Sequence, residues 1–178
     1  EPNPLSKRWI AVEIARDRVM RHLKPGDTAI DATTGNGHDT LWLAQSVGPN
    51  GAVYAFDIQE CAIDIARKKI DNVSIETQTT FLKACHSRMM SQLPLNIKAK
   101  AILFNLGYLP KGDKSIVTRI DTTISALDQS LTILHPNGII SVVIYPGHQG
   151  GASEADGILN WTQSIDDSSY ETEFVSNP

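Results

Sequence analysis

The apolar run Thr28-Ala29-Ile30 leads into Asp31-Ala32-Thr33-Thr34-Gly35-Asn36-Gly37-His38-Asp39. A second apolar run, Ala52-Val53-Tyr54-Ala55-Phe56, ends at Asp57, 20 residues past Gly37. A glycine-rich turn after one strand and a carboxylate after the next confine the chain to a narrow set of folds. Glycines let the backbone turn sharply from strand to helix and let a ligand approach closely. A carboxylate at the end of the following strand accepts hydrogen bonds from ribose hydroxyls. The plain alternative for the glycines is a tight strand-to-helix turn and nothing more. The strand, the helix and the later acid together favour a nucleoside site.

The remaining chain repeats the alternation. Apolar period and capping residues predict a helix over 6–23, which Pro25-Gly26-Asp27 ends. Strands are expected at 28–31, 52–57, near 73–76, at 99–105 and at 139–144. Helices are expected at about 38–47, 60–70, 86–92, 116–134 and 153–165. Gly48-Pro49-Asn50-Gly51 and His135-Pro136-Asn137-Gly138 read as turns, and Tyr170–Val175 alternates like an edge strand. Alternating strands and helices with continuous apolar strands imply an α/β fold of Rossmann-like type, a mostly parallel sheet covered on both faces. Ligands bind such sheets beyond the carboxyl ends of the strands. The distinctive segments all fall there: residues 31–39, 57–59, 85–87, 105–113 and 145–151.

At 178 residues the chain is one domain's worth, read here as a single domain with its first 25 residues packed on or beside the core. No apolar run approaches the roughly 18–20 residues that span a bilayer. A chain beginning at Glu1 reads as trimmed or processed, so a removed targeting segment is compatible with it. The expected location is the soluble interior of a cell, either a bacterial cytoplasm or a plastid or mitochondrion. Cys61 and Cys85 show no paired spacing, and His22, His38, His86, His135 and His148 show none of the spacings that bind metals, so neither a disulfide nor a metal site is expected. The net charge is −4, yet Lys7, Arg8, Arg16, Arg18, Arg21 and Lys24 cluster near the start, while residues 152–178 hold six acids and no Lys or Arg. One end can attract phosphates, or the basic run is a solvated helix face.

Two features bear on the choice of ligand. A dehydrogenase fingerprint needs a third small residue where Thr40 stands, and it carries no acid ahead of its glycines. Asp31 sits where it would repel a pyrophosphate and suit a cationic ammonium, as in S-adenosylmethionine. Class I methyltransferases share this order of acid, glycine loop and ribose-binding acid. Thr33, Gly35, Asn36 and Gly37 then join Asp31 and Asp57 as cofactor-binding candidates. Gln59 either holds the ribose or adenine edge or starts a helix. Cys85 and His86 follow the third strand, where adenine contacts fall.

Asn105-Leu106-Gly107-Tyr108 follows the fourth strand, and its spacing is similar to the Asn-Pro-Pro-Tyr loop of amino-group methyltransferases. In that loop the Asn side chain and a backbone carbonyl orient the target nitrogen while the ring stacks on a base. Asn105 and Tyr108 are therefore catalytic candidates, and Asp113 or His148 is a candidate proton acceptor. His148 is equally readable as a loop histidine in water. Gly107, Lys111, Lys114, Arg119 and Tyr145 are candidates for holding substrate or RNA.

The segment DATTGNGHDT, the Asp57-Ile58-Gln59 triplet, Asn-Leu-Gly-Tyr-Leu-Pro with its Gly-Asp-Lys, and Tyr-Pro-Gly-His-Gln-Gly-Gly recur in order in one methyltransferase family. The chain resembles that family, long filed among rRNA methylases and associated with tRNA 5-(aminomethyl)-2-thiouridine methylation, from the first helix to about Trp161. The resemblance implies S-adenosylmethionine as methyl donor and the aminomethyl nitrogen of the wobble uridine in a tRNA anticodon stem-loop as acceptor. It also implies a homodimer, and cofactor contacts at Asn36, Gly37, Asp57, Gln59 and His86. Cys85 stands where the family pattern has Ser, and one more strand is expected past Pro178. Other readings are a methyltransferase for rRNA or a small amine, or a non-catalytic S-adenosylmethionine-binding module.

Overall fold

Each apolar run flanked by turn residues becomes a strand of one parallel sheet. The computed structural model describes residues 4–109, 113, 115–145, 147 and 150–175, the first six of these by backbone alone. In chain order the elements are α1 (Pro4–Met20), β1 (Thr28–Asp31), α2 (His38–Val47), β2 (Ala52–Asp57), α3 (Glu60–Asp71) and β3 (Gln78–Lys83). A single 3-10 turn (His86–Arg88) follows, then α4 (Met89–Gln92), β4 (Ala99–Leu106), α5 (Ile120–Ile133), β5 (Leu134–Ile144) and α6 (Gly151–Gln163). The sheet order is β3-β2-β1-β4-β5, with every pairing parallel.

Two apolar layers sandwich the sheet. On one face Val19 of α1 and Leu23 just beyond it pack with Leu43, Ala44 and Val47 of α2 and Ile70 of α3. On the other, Met89, Ala126, Leu127 and Ile158 from α4, α5 and α6 pack with Ile30, Phe56, Ile102 and Phe104 of the strands. The central strands are buried on both sides, which is why their sequences read as continuous apolar runs. No described helix is long and apolar enough to cross a membrane.

The order has a consequence for the site. The chain winds outward from β1 through β2 to β3, then returns to the other side of β1 for β4. The crevice at that reversal lies beyond the carboxyl ends of β1 and β4. Asp31 is in register with Leu103, so Thr33 and Asn105, two residues further along each strand path, become neighbours. The Asn105 backbone N–H donates to Thr33 Oγ1 at 2.7 Å.

Four expectations are corrected. The strand near 73–76 lies instead at Gln78–Lys83, because Ser74 turns left-handed (φ 51) as the chain leaves α3 and needs several more residues to reach the sheet. The helix expected from 116 starts at Ile120, since Val117 pairs with Tyr108. His135–Gly138 does not separate helix from strand: β5 begins at Leu134, and the four residues bulge out between the Ala99–Leu134 and Ala101–Ile139 pairs, with Asn137 at φ 59. Tyr170–Val175 is not a strand. It is exposed from Glu171 on and held to α1 by Glu173, which accepts from the Arg18 guanidinium at 3.0 and 3.1 Å.

Gly37 caps α2 with φ 75, and a Cβ there would stand 2.7 Å from both Cα and Cβ of Ala66. The glycine therefore lets α2 press against α3. Gly37→Ala is expected to cost at least about 2 kcal/mol, from left-handed strain plus overpacking. The melting temperature should fall by roughly 4–8 °C, as read by thermal denaturation.

Candidate functional site

A cavity of about 560 Å³ opens at the reversal, lined by the glycine loop, the ends of β2, β3 and β4, and the segment that follows β4. Its size is within the usual range for sites that hold a small organic ligand. Of the sequence-derived candidates, Thr33, Gly35, Asn36, Asp57, Gln59, Cys85, His86, Asn105, Gly107, Tyr108, Arg119 and Tyr145 all line it. Elements as far apart as residues 33 and 145 thus converge on one volume.

Asp57 organises the nucleoside side. Its Oδ2 accepts from the Gly35 backbone N–H and its Oδ1 from the Gln59 backbone N–H, each at 2.9 Å. Each oxygen keeps a further lone pair at the cavity wall. Gly35 adopts φ 51, which turns its N–H back toward the acid. His86, nearly buried, sits next along. Its Nδ1 donates to the Ala32 carbonyl at 3.1 Å, since a carbonyl can only accept. Burial holds the ring below its ordinary pKa, so His86 is neutral and Nε2 carries a lone pair. The Phe104 ring packs against it at 5.5 Å, edge on.

Asn105 near the end of β4 and Tyr108 just past it also line the cavity. The Gly107 N–H donates to Thr118 Oγ1 at 2.8 Å, the Thr118 N–H to the Gly107 carbonyl at 2.9 Å, and Tyr108 bridges to Val117. The segment after β4 is thereby closed into a strap. Its anchor is Glu154 of α6, only 1% exposed, which accepts from Thr118 and Thr123 hydroxyls at 2.8 Å each. Asn105 Oδ1 is shielded from water and accepts no hydrogen bond among the described residues, and the same holds for Thr34 Oγ1.

Several candidates do not reach the cavity. Asp31 is fully buried beneath the glycine loop, accepting from Thr40 Oγ1 at 2.6 Å and the Thr33 N–H at 3.1 Å. It supports the loop from behind instead of lining the space where an ammonium would sit. Gly37 is turned toward α3. Asp113 is exposed and engaged by the Ser115 N–H and hydroxyl, which hold its carboxyl below the usual range. Lys111, Lys114 and His148 lie outside the described residues. Six polar lining residues were missed by sequence reasoning: Arg16 of α1, Thr34, His38 and Asp39 of the glycine loop and α2, and Thr118 and Thr122 after β4. Asp39 lies two residues past the glycines, so its position was legible, but its partner on α1 was not. No group of three or more His, Cys, Asp and Glu that could hold a metal occurs among the described residues.

The residues present fit a sulfonium nucleoside. Asp57 offers paired acceptors for a ribose diol, His86 a ring and an acceptor for adenine, and the glycine loop a close approach. Comparison with known proteins agrees. A family described as "putative rRNA methylase" matches residues 53–176. The chain belongs to this family. A solved structure of the same description from Clostridium thermocellum is 41% identical, with a TM-score of 0.85 over 89% of this chain and 84% of that one. A Streptococcus mutans methyltransferase solved in complex with SAH is 28% identical, with a TM-score of 0.79 over 94% and 93%. The chloroplast tRNA (mnm(5)s(2)U34)-methyltransferase of Arabidopsis thaliana is 44% identical over 154 residues, 82% of this chain and 56% of that protein. The chain thus spans about half the length of that curated relative. The observed fold is the Rossmann-like class I methyltransferase fold that the sequence implied.

Asp31 also sets a pH dependence. Burial first, then the nearby Asp39 charge, push its carboxyl up to about 7, against the Thr40 and Thr33 hydrogen bonds that favour the charged form. A folded-state pKa above the unfolded one means stability that is complete below pH ~4 and lost as pH rises through about 7. Asp31→Asn removes this ionisation. In denaturant unfolding at pH 5 and pH 8, the unaltered protein should lose about 2 kcal/mol more than Asp31→Asn across that interval.

Proposed function

We propose that this chain is the catalytic domain of an S-adenosylmethionine-dependent methyltransferase. Its substrate is the aminomethyl nitrogen of 5-aminomethyl-(2-thio)uridine at the tRNA wobble position, and the product is the methylaminomethyl base. The kinship with the Arabidopsis enzyme and with the SAH complex supports this reading. The observation that carries it is the convergence of Gly35, Asp57 and His86 with Asn105 and Tyr108 on one cavity.

S-adenosylmethionine, when bound, supplies an electrophilic methyl group. The chain's own residues do the rest. Asp57 takes the ribose hydroxyls between the Gly35 and Gln59 amides, and Cys85 and His86 flank adenine. Asn105 Oδ1 accepts a hydrogen bond from the target amine, which aims the nitrogen lone pair at the methyl carbon. Tyr108 stacks on the base, with Gly107 and Tyr145 completing its walls. An alkyl ammonium has a pKa near ~10 and cannot attack until it loses a proton. Val12, Phe56, Leu109, Ile116 and Val117 line the cavity, and such apolar walls favour the neutral amine over the ammonium. No cysteine or serine nucleophile takes part. Asp113, exposed and facing Ser115, is not well placed to take the proton.

Arg119, with its side chain 73% exposed at the cavity rim, meets the phosphates of the anticodon stem-loop. The chain works as a homodimer, for which Ile10 and Met20 of α1, 45% and 50% exposed, supply apolar contact surface. Its place of action is a plastid or a bacterial cytoplasm.

The test is transfer of labelled methyl to tRNA from cells lacking the modification. Asn105→Ala should lower transfer by at least about 100-fold, with calorimetric SAH affinity within about three-fold of the unaltered protein. Lost SAH affinity would refute the role given to Asn105. Label on rRNA alone would refute the substrate.

A further inference from the structure

One carboxylate in the cavity belongs neither to the nucleoside-binding set nor to the pair that orients the target. Asp39, in the first turn of α2, has a side chain only 12% exposed. Its Oδ1 accepts from Arg16 Nε at 2.9 Å and Arg16 Nη2 at 2.6 Å. Its Oδ2 accepts from Asn105 Nδ2. The Arg16 guanidinium in turn lies over the Trp42 ring, 5.1 Å from its centre.

The consequence follows from the symmetry of an amide. The two ends of an asparagine side chain have nearly the same shape, and neighbours decide which end points where. A carboxylate only accepts, so it holds the Nδ2 end and repels the Oδ1 end. Asn105 Oδ1 is then the end left without a donor. We propose that Asp39 is a positioning residue, fixed by Arg16, that locks the Asn105 amide in the one orientation presenting an acceptor to the incoming amine. This rests on the methyltransferase reading of the site. It gives α1 a second part in the active site beside the wall residue Val12: Arg16 acts through Asp39 and Asn105 and touches no substrate.

The isosteric change is the informative one. In Asp39→Asn, Arg16 still needs an acceptor and so claims the carbonyl oxygen of the new amide. The new NH2 group then faces Asn105, attracts its Oδ1, and turns the Asn105 NH2 toward the substrate. The site would offer a donor where the reaction needs an acceptor. Asp39→Ala removes the lock without imposing the wrong orientation. A structural role predicts the opposite order, since an isostere disturbs packing less than a truncation.

The experiment measures kcat and KM for methyl transfer from S-adenosylmethionine to unmodified tRNA, together with SAH affinity, for the full chain and both variants. Asp39→Asn should lower kcat about 100-fold, and Asp39→Ala about 10-fold. The KM for S-adenosylmethionine and the SAH affinity should stay within about three-fold. Asp39→Ser replaces the alanine variant should that one not fold. The proposal is overturned if Asp39→Asn is the milder change, if it retains at least half of the activity, or if it loses SAH affinity. Activity of the unaltered protein on tRNA separates these outcomes from failure of the functional reading, and its absence overturns both.

Discussion

Between β1 and β4 the sheet reverses its winding, and the backbone there no longer has a helix directly overhead to cover it. The N–H of Asn105 is satisfied by a side chain, Thr33 Oγ1, and that of Thr34 by the Phe56 carbonyl. These cross-strand ties fix the glycine loop against the ends of both β2 and β4. The cavity exists because the helices diverge at this point, one set following β1 and β2, the other β4 and β5. His86 and Asn105 are both bonded to this junction, His86 through the Ala32 carbonyl and Asn105 through Thr33.

Three carboxylates lie close to it, and their different surroundings give them different work. Asp31 is buried beneath the loop with two hydrogen bonds and no paired cation among the described residues, so burial keeps its proton on to unusually high pH. Asp57 receives two backbone amides and still faces the cavity. Asp39 is paired with an arginine. A hydrogen-bonded acid at the wall suits neutral hydroxyls, whereas one already matched to a guanidinium has little charge left to offer a ligand. The division of labour follows from solvation and partners, since the residue type is the same in all three.

Much of this was legible in the chain. The runs ending at Asp31, Asp57 and Leu106 are mostly apolar because their strands are covered on both faces, and their boundaries hold to within a residue. β3 was less legible: its burial is intermediate, and its sequence, Gln-Thr-Thr-Phe-Leu-Lys, resembles the polar stretch before it. Tyr170–Val175 alternates as an edge strand does, yet an ion pair to Arg18 draws it along α1. Local pattern cannot weigh a partner 155 residues away.

The chemistry shows the same split. Sequence alone determined the order of acid, glycine loop, second acid, histidine and Asn-x-x-Tyr, because strand ends in a parallel sheet must face one way. It also carried the family resemblance. Only the tertiary structure decided which of those groups reach the cavity: it withdrew Asp31 and Gly37 to supporting positions, left Asp113 in solvent, and added Arg16 and Asp39. The reason is geometric. Spacing along a strand says at which end of the sheet a residue lies, but whether its side chain meets ligand, core or water depends on neighbours from distant segments, such as α1 and α6, whose approach no local sequence signal encodes.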